Sequence, residues 1–278
     1  MPSLTTFAAL LPAALACSDH LNFQRTPKLI GRQVSDNRTT RIPQDADWAY
    51  EASFNWGRIN PEYELCQTGT QQSPIGFSLN QGLSTNHIPD FSNVSGLYTG
   101  NFYNWGYGPA FTLLHDKGVY ETLPSVSFDN ETDYLSGWHV HTPADHTVGG
   151  DRSKAELHYV FTDGGGDYRA VAAIRLDAGG QNNSFFDAVP KPFIGFNETD
   201  QQMEVDLPLR LPIEAVGNFT EFWTYRGSLT SPPCTEGVRF FMARNIMFVS
   251  DDQMREILRV GAYSARQEQE VWRHGVNE

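Results

Sequence analysis

The chain has 278 residues, with 20 Lys and Arg against 33 Asp and Glu and a formal net charge of −13. An excess of acid this large argues against nucleic acid or an anionic membrane surface as a partner and reads first as a means of solubility. Hydrophobic residues make up 40% of the chain, enough for one sizeable core in the roughly 230 residues left once the ends are set aside.

The first element is an apolar run from Phe7 to Ala16. It is too short to span a bilayer and ends in Ala14-Leu15-Ala16, a small-residue cleavage pattern. Residues 1–18 are therefore read as a signal peptide cut after Ala16 or after Ser18, although the usual basic residue at its start is missing. Residues 19–46 are polar, with scattered charge and no periodicity, and read as a linker before a folded domain over 47–278. No later run is long enough to cross a membrane. Six Asn-X-Ser/Thr sequences, at Asn37, Asn93, Asn130, Asn182, Asn197 and Asn218, fit a secreted, extracellular glycoprotein.

The body reads as many short strands separated by Gly, Pro, Asn and Asp. Examples are Ala110-Phe-Thr-Leu-Leu, Glu156-Leu-His-Tyr-Val-Phe, Arg169-Ala-Val-Ala-Ala-Ile-Arg-Leu and Arg239-Phe-Phe-Met-Ala, with Gly164-Gly165-Gly166 as a turn. One helix is signalled near the C-terminus. Ser250 can cap it with Gln253 three residues on, and Met254, Ile257 and Leu258 lie on one face. The pattern alone predicts a mainly β domain with a few short helices.

Within the strand-like segments, His139 and His141 flank Val140, and Glu156 and His158 flank Leu157. Residues two apart on a strand point to one face. A turn at Gly149-Gly150-Asp151 would set the two segments side by side as antiparallel neighbours, bringing three imidazoles to one point. That set suits zinc, with a fourth position open to water, as in catalysis rather than scaffolding. A lone His-X-His pair is more often accidental, and a buried histidine is more often a hydrogen-bonded core residue. The third histidine, with Glu156 placed to orient a ligand ring, favours the metal reading.

Gln72-Ser73-Pro74-Ile75, His139-Val140-His141, Ala144-Asp145-His146-Thr147-Val148, Ala155-Glu156-Leu157-His158 and Trp223-Thr-Tyr225-Arg-Gly-Ser228-Leu-Thr230-Ser-Pro-Pro233 occur in this order. Together they resemble the alpha-class carbonic anhydrases, from about Trp48 to Gln269. The resemblance implies a single domain with a large, twisted, mostly antiparallel central sheet and a few short peripheral helices. It implies Zn2+ on His139, His141 and His158 at the base of a cone-shaped cavity, with carbon dioxide and bicarbonate as the small-molecule partners.

The same resemblance assigns roles. Thr230 matches the threonine that orients the zinc-bound nucleophile and passes its hydrogen bond to a glutamate, here replaced by the shorter Asp145. Glu156 matches the carboxylate behind a ligand histidine. Val160, Val171, Leu229, Val238 and Phe240 match the apolar carbon dioxide pocket, and Ser231 the threonine that contacts bicarbonate. Cys66 and Cys234 stand where the family often forms a disulfide, which would pin the loop holding Thr230. Cys17 is left over, removed or retained according to the cleavage site.

Two departures accompany these matches. Gly137 replaces the glutamine that holds the first ligand, and Trp105-Gly106-Tyr107-Gly108-Pro109-Ala110-Phe111 lacks the proton-shuttling histidine. His115 is expected to turn away from the cavity, and His146 to be structural. Besides reversible hydration of carbon dioxide, two further functions fit this pattern. One is a binding or storage protein on the same fold, and the other is a zinc esterase.

Overall fold

A computed structural model describes residues 47–198 and 200–278. The readings of a signal peptide, a linker, a spare Cys17 and a glycosylated Asn37 fall on 1–46 and lie outside the described residues. Twelve strands run in chain order: β1 (Gly76–Phe77), β2 (Tyr98–Asn104), β3 (Pro109–Leu113), β4 (Ser125–Phe128), β5 (Glu131–His141), β6 (Thr147–Val148), β7 (Ala155–Thr162), β8 (Tyr168–Ala178), β9 (Gln202–Leu207), β10 (Phe222–Ser228), β11 (Glu236–Ala243) and β12 (Met247–Val249). Among the described residues five short α-helices accompany them: α1 (Trp56–Ile59), α2 (Leu65–Thr68), α3 (Ser184–Ala188), α4 (Arg210–Ala215) and α5 (Asp251–Val260).

Ten strands form one sheet in the order β10-β11-β8-β7-β5-β3-β2-β9, with β4 on β5 and β12 on β8. The sheet is mostly antiparallel, as expected. The pairs β11–β8 and β12–β8 run parallel. β1 and β6 make a separate parallel pair.

Alternation along the central strands divides their side chains between two layers. Trp138 and Val140 of β5, Leu157 and Tyr159 of β7, and Ala172 and Ile174 of β8 enter the larger core, which also takes Phe185 and Phe186 of α3 and Ile257 of α5. His139, His141, Glu156 and His158 occupy the intervening positions and so lie on the other face. That face carries a smaller cluster that includes Ile75, Val171, Trp223, Tyr225 and Phe240.

The turn at Gly149-Gly150 forms, with both glycines at positive φ, but it belongs to a long connection over 142–154 rather than to a tight hairpin. The C-terminal helix starts where expected, and Ser250 and Gln253 complete a capping box, worth about 1 kcal/mol. Its buried side is Gln253, Met254, Ile257 and Val260. Leu258, at the edge of the face it shares with Met254 and Ile257, is 43% exposed. Position 258 is one step round from 257, and the packed stripe follows the i, i+3, i+4 spacing of 253, 257 and 260.

Candidate metal centre

Register across the sheet brings the three histidines together. His139 pairs with His158 between β5 and β7, and His141 pairs with Glu156. One ligand nitrogen from each of His139, His141 and His158 lies within 4.8 Å of the others. His141 is fully buried and His158 nearly so, while His139 is half-buried and is the ligand nearest to solvent.

Hydrogen bonds assign the nitrogens. His141 Nδ1 is 2.7 Å from the Ser264 carbonyl oxygen, to which it donates, leaving Nε2 with a free lone pair. His158 Nε2 is 2.6 Å from Glu156 Oε1, leaving Nδ1 free. His139 Nε2 stands 3.0 Å from His141 Nε2, a separation at which two lone pairs need a proton or a cation between them. Burial, then the neighbouring His141 and His158, pulls the His139 imidazole well below its ordinary pKa. Burial also lowers His141, against the attraction of Asp145. Neutral rings with lone pairs converging on one point fit a zinc ion.

A second cluster, His146, Glu156 and His158, is equally close, but its His146 has no nitrogen to give. His146 Nδ1 bonds Glu156 Oε1 at 2.6 Å, and its Nε2 bonds the Tyr225 hydroxyl at 2.8 Å. The His146 backbone N–H also donates to Glu156 Oε2. Burial alone would raise the Glu156 carboxyl, but the His146 charge and the hydrogen bonds from His146 and His158 hold it well below the usual carboxylate range. Tyr225 continues the network to Ser73 Oγ, which accepts from the Ser228 N–H. This buried chain orients the His158 ring from behind, and His146 has the structural place expected of it.

Asp145 is buried beside the centre. Its Oδ1 accepts from the Arg266 backbone N–H at 2.8 Å. Its Oδ2 has no hydrogen-bond partner among the described residues and lies 3.5 Å from His141 Nε2. The hydrogen bond expected from Thr230 is therefore not made. A stem one methylene shorter than glutamate can satisfy the backbone anchor but not both tasks. Thr230 itself is buried, on a loop held by the Leu229 N–H to Thr235 O and Cys234 N–H to Ser231 O bonds. The Cys66–Cys234 disulfide forms, and Gln72 Nε2 donates to the Cys234 carbonyl oxygen.

The apolar residues align in one row. Gly137, Val160, Val171, Phe240 and Tyr225 are successive register partners across β5, β7, β8, β11 and β10. Val171, Val238 and Phe240 belong to the smaller cluster, and Leu229 packs on it. Val160 instead lines a cavity of about 120 Å³ that opens beside His139 and Gly137. Ser231 is half-buried next to Thr230.

At Gly137, a Cβ would stand 2.2 Å from the Phe111 carbonyl oxygen of β3. No side chain fits there, and among the described residues no protein group bonds His139 Nδ1. Trp105, which the sequence reading did not single out, packs against both ligands instead. Its ring centroid is 5.1 Å from His139 and 5.4 Å from His141, and its indole N–H donates to the Val140 carbonyl oxygen. Ser264 and Arg266 were missed too, because they act through backbone atoms. Tyr225 and Ser73 lie inside quoted motifs, so their position was the available signal. His115 is buried, bonded to the Asp116 carbonyl oxygen and packed on Tyr120; it is not among the residues lining the cavity.

Comparison with known proteins agrees with this geometry. Residues 51–275 match the family model described as eukaryotic-type carbonic anhydrase. Alpha carbonic anhydrase 4 of Arabidopsis thaliana is 31% identical over 207 residues, covering 72% of this chain and 70% of that protein. Dioscorin DB3S of Dioscorea polystachya is 28% identical over 72% of this chain and 71% of its own length. The solved Photobacterium profundum alpha-carbonic anhydrase has the same fold, with a TM-score of 0.67 at 23% identity over 83% of this chain and 99% of the other.

Proposed function

The chain belongs to the eukaryotic-type carbonic anhydrase family, and from that premise we propose that it catalyses the reversible hydration of carbon dioxide to bicarbonate and a proton at a zinc ion held by His139, His141 and His158. The observation that carries this reading is the convergence of three imidazoles, two of them turned to a fixed tautomer by Ser264 and Glu156.

A zinc ion bound there supplies Lewis acidity that makes a nucleophile of water near neutral pH. Glu156 holds the His158 ring in its productive orientation, and Trp105 packs against His139 and His141. Thr230 is the hydroxyl that orients the nucleophile, and Asp145, buried beside His141, is the carboxylate it would have to reach. Val160, Val171, Leu229, Val238 and Phe240 offer carbon dioxide an apolar wall without polar competition, and Ser231 meets the product. A secreted, glycosylated form is part of the proposal. Asn93, Asn130, Asn182, Asn197 and Asn218 are all exposed, as carbohydrate attachment requires. No helix among the described residues is long and apolar enough to cross a membrane.

A second reading, a binding or storage protein with little turnover, draws on the orphaned Asp145 Oδ2 and the likeness to dioscorin. Metal analysis with a carbon dioxide hydration assay decides between the two. The expected result is one zinc per chain and measurable hydration, both lost in His158→Ala. Full zinc content with no hydration would favour the second reading, and an active, zinc-replete His158→Ala would remove the ligand assignment.

A further inference from the structure

On the same face as the metal centre, beyond Glu156, lies a cleft of about 370 Å³ whose residues none of the foregoing uses. Its cationic side is Arg152, Arg175 and Arg244. Arg175 stands opposite Glu156 in register and is 7% exposed. One of its nitrogens, Nη2, donates to the Arg244 carbonyl oxygen at 2.7 Å, but its buried Nε has no partner. Arg152 donates only to the Ala144 carbonyl oxygen. Among the described residues neither Arg152 nor Arg175 has an ion-pair partner, whereas Arg244 pairs with Glu221 on the outside.

A second orphan lines the same cleft. Trp223 is 1% exposed, and its indole Nε1–H also lacks an acceptor. Two buried donors without acceptors in one cleft are costly, because each loses its water without a replacement. Both lack the same thing, an acceptor, and one carries a positive charge. Burial lowers the Arg175 guanidinium from its ordinary pKa, against the attraction of Glu156 and Asp177, so its charge is not fully compensated by the protein.

The remaining walls are apolar: Leu79, Val148 and Ile246. Two carboxylates also border the cleft, Asp151 at the exposed rim and Asp177, whose Oδ1 is occupied by the Lys154 backbone N–H. With Arg244 paired to Glu221, Arg152 and Arg175 face Asp151 and Asp177, so unmet donors rather than net charge set this cleft apart.

We propose that this cleft binds a small organic carboxylate, its anionic head on Arg175, Arg152 and the Trp223 indole N–H and its apolar body against Val148 and Ile246. A planar carboxylate accepts from guanidinium and indole donors together, and the cleft has the size of a small-molecule site. Because the site does not include the metal ligands, it does not depend on the hydration reaction.

The test titrates the whole chain with para-fluorobenzoate, followed by fluorine NMR and by the tryptophan indole N–H resonances, before and after treatment with a zinc chelator. The expected result is saturable binding that survives chelation and shifts the Trp223 indole signal. It should weaken at least tenfold in Arg175→Gln and severalfold in Arg152→Gln. Arg152 is exposed, so its variant and the Trp223 signal decide the matter even where Arg175→Gln does not fold. No saturation up to roughly 10 mM, the range of a weak site, would overturn the proposal. So would binding abolished by the chelator, which would put the carboxylate on the metal, or binding indifferent to Arg152 with Trp223 unmoved.

Discussion

Two residues decide how well this centre can work, and each is a side chain shortened from the family pattern. Asp145 keeps the backbone anchor to Arg266 and leaves its second oxygen unmet. Asp145→Glu should restore reach toward Thr230 and at least preserve kcat. Asp145→Asn should lower it about tenfold or more, since the amide is a weaker acceptor than the carboxylate and turns one of its two positions into a donor. Stopped-flow hydration rates compare the two, and equal rates would remove Asp145 from the orienting path. Gly137 poses the opposite problem, because the backbone of β3 fills the space a Cβ would need. Gly137→Ala should cost about 1–3 kcal/mol by overpacking, read as a lower urea midpoint. An unchanged midpoint would mean that β3 yields freely.

At the scale of elements, the loop between β2 and β3 bears on how the proposed reaction would lose its proton. It carries Trp105 and Tyr107, packed in an aromatic group with Trp48 and Tyr50, and no histidine. In the proposed reaction the proton would then pass to buffer molecules. The maximal rate is expected to rise with imidazole-type buffer concentration while kcat/KM stays flat. A high rate insensitive to buffer would reveal a relay elsewhere. The pairing of β5 with β7 was legible from the sequence, since period-two alternation fixes which residues share a face and a one-residue slip would bury the wrong set. The helix cap at Ser250 was legible for the same reason, as a local pattern with a local cause. What was not legible depended on partners distant in the chain. Ser264 and Arg266 contribute a carbonyl oxygen and an N–H, which every residue possesses. Trp105 acts by packing, which spacing does not encode. The closeness of β3 at Gly137 is a property of two backbones, and the cleft at Arg175 is assembled from five separate segments.

Across the whole molecule, acidity and burial meet at Asp133 on β5. Burial, opposed by Arg169 and assisted by Glu131 and Asp163, pushes its carboxyl up to about 6, above an unfolded value of about 3.9. The native state therefore holds this proton more tightly. The stability it contributes is full below about pH 4 and is lost as the pH rises through about 6. Asp133→Asn should raise unfolding stability more at about pH 8 than at about pH 4, by an amount on the order of 1 kcal/mol once solvent screening is allowed for, read as a larger gain in Tm at the higher pH. An equal effect at both would deny the shifted proton. The disulfide also acts on this scale. Cys66 and Cys234 are 168 residues apart, and β1 to β10 with all three histidines lie between them. The metal centre thus sits within a closed covalent ring of chain. A single protease cut in an exposed turn of that ring, such as 163–167, opens it without releasing a fragment. The nicked protein keeps its mass on a denaturing gel until a thiol is added.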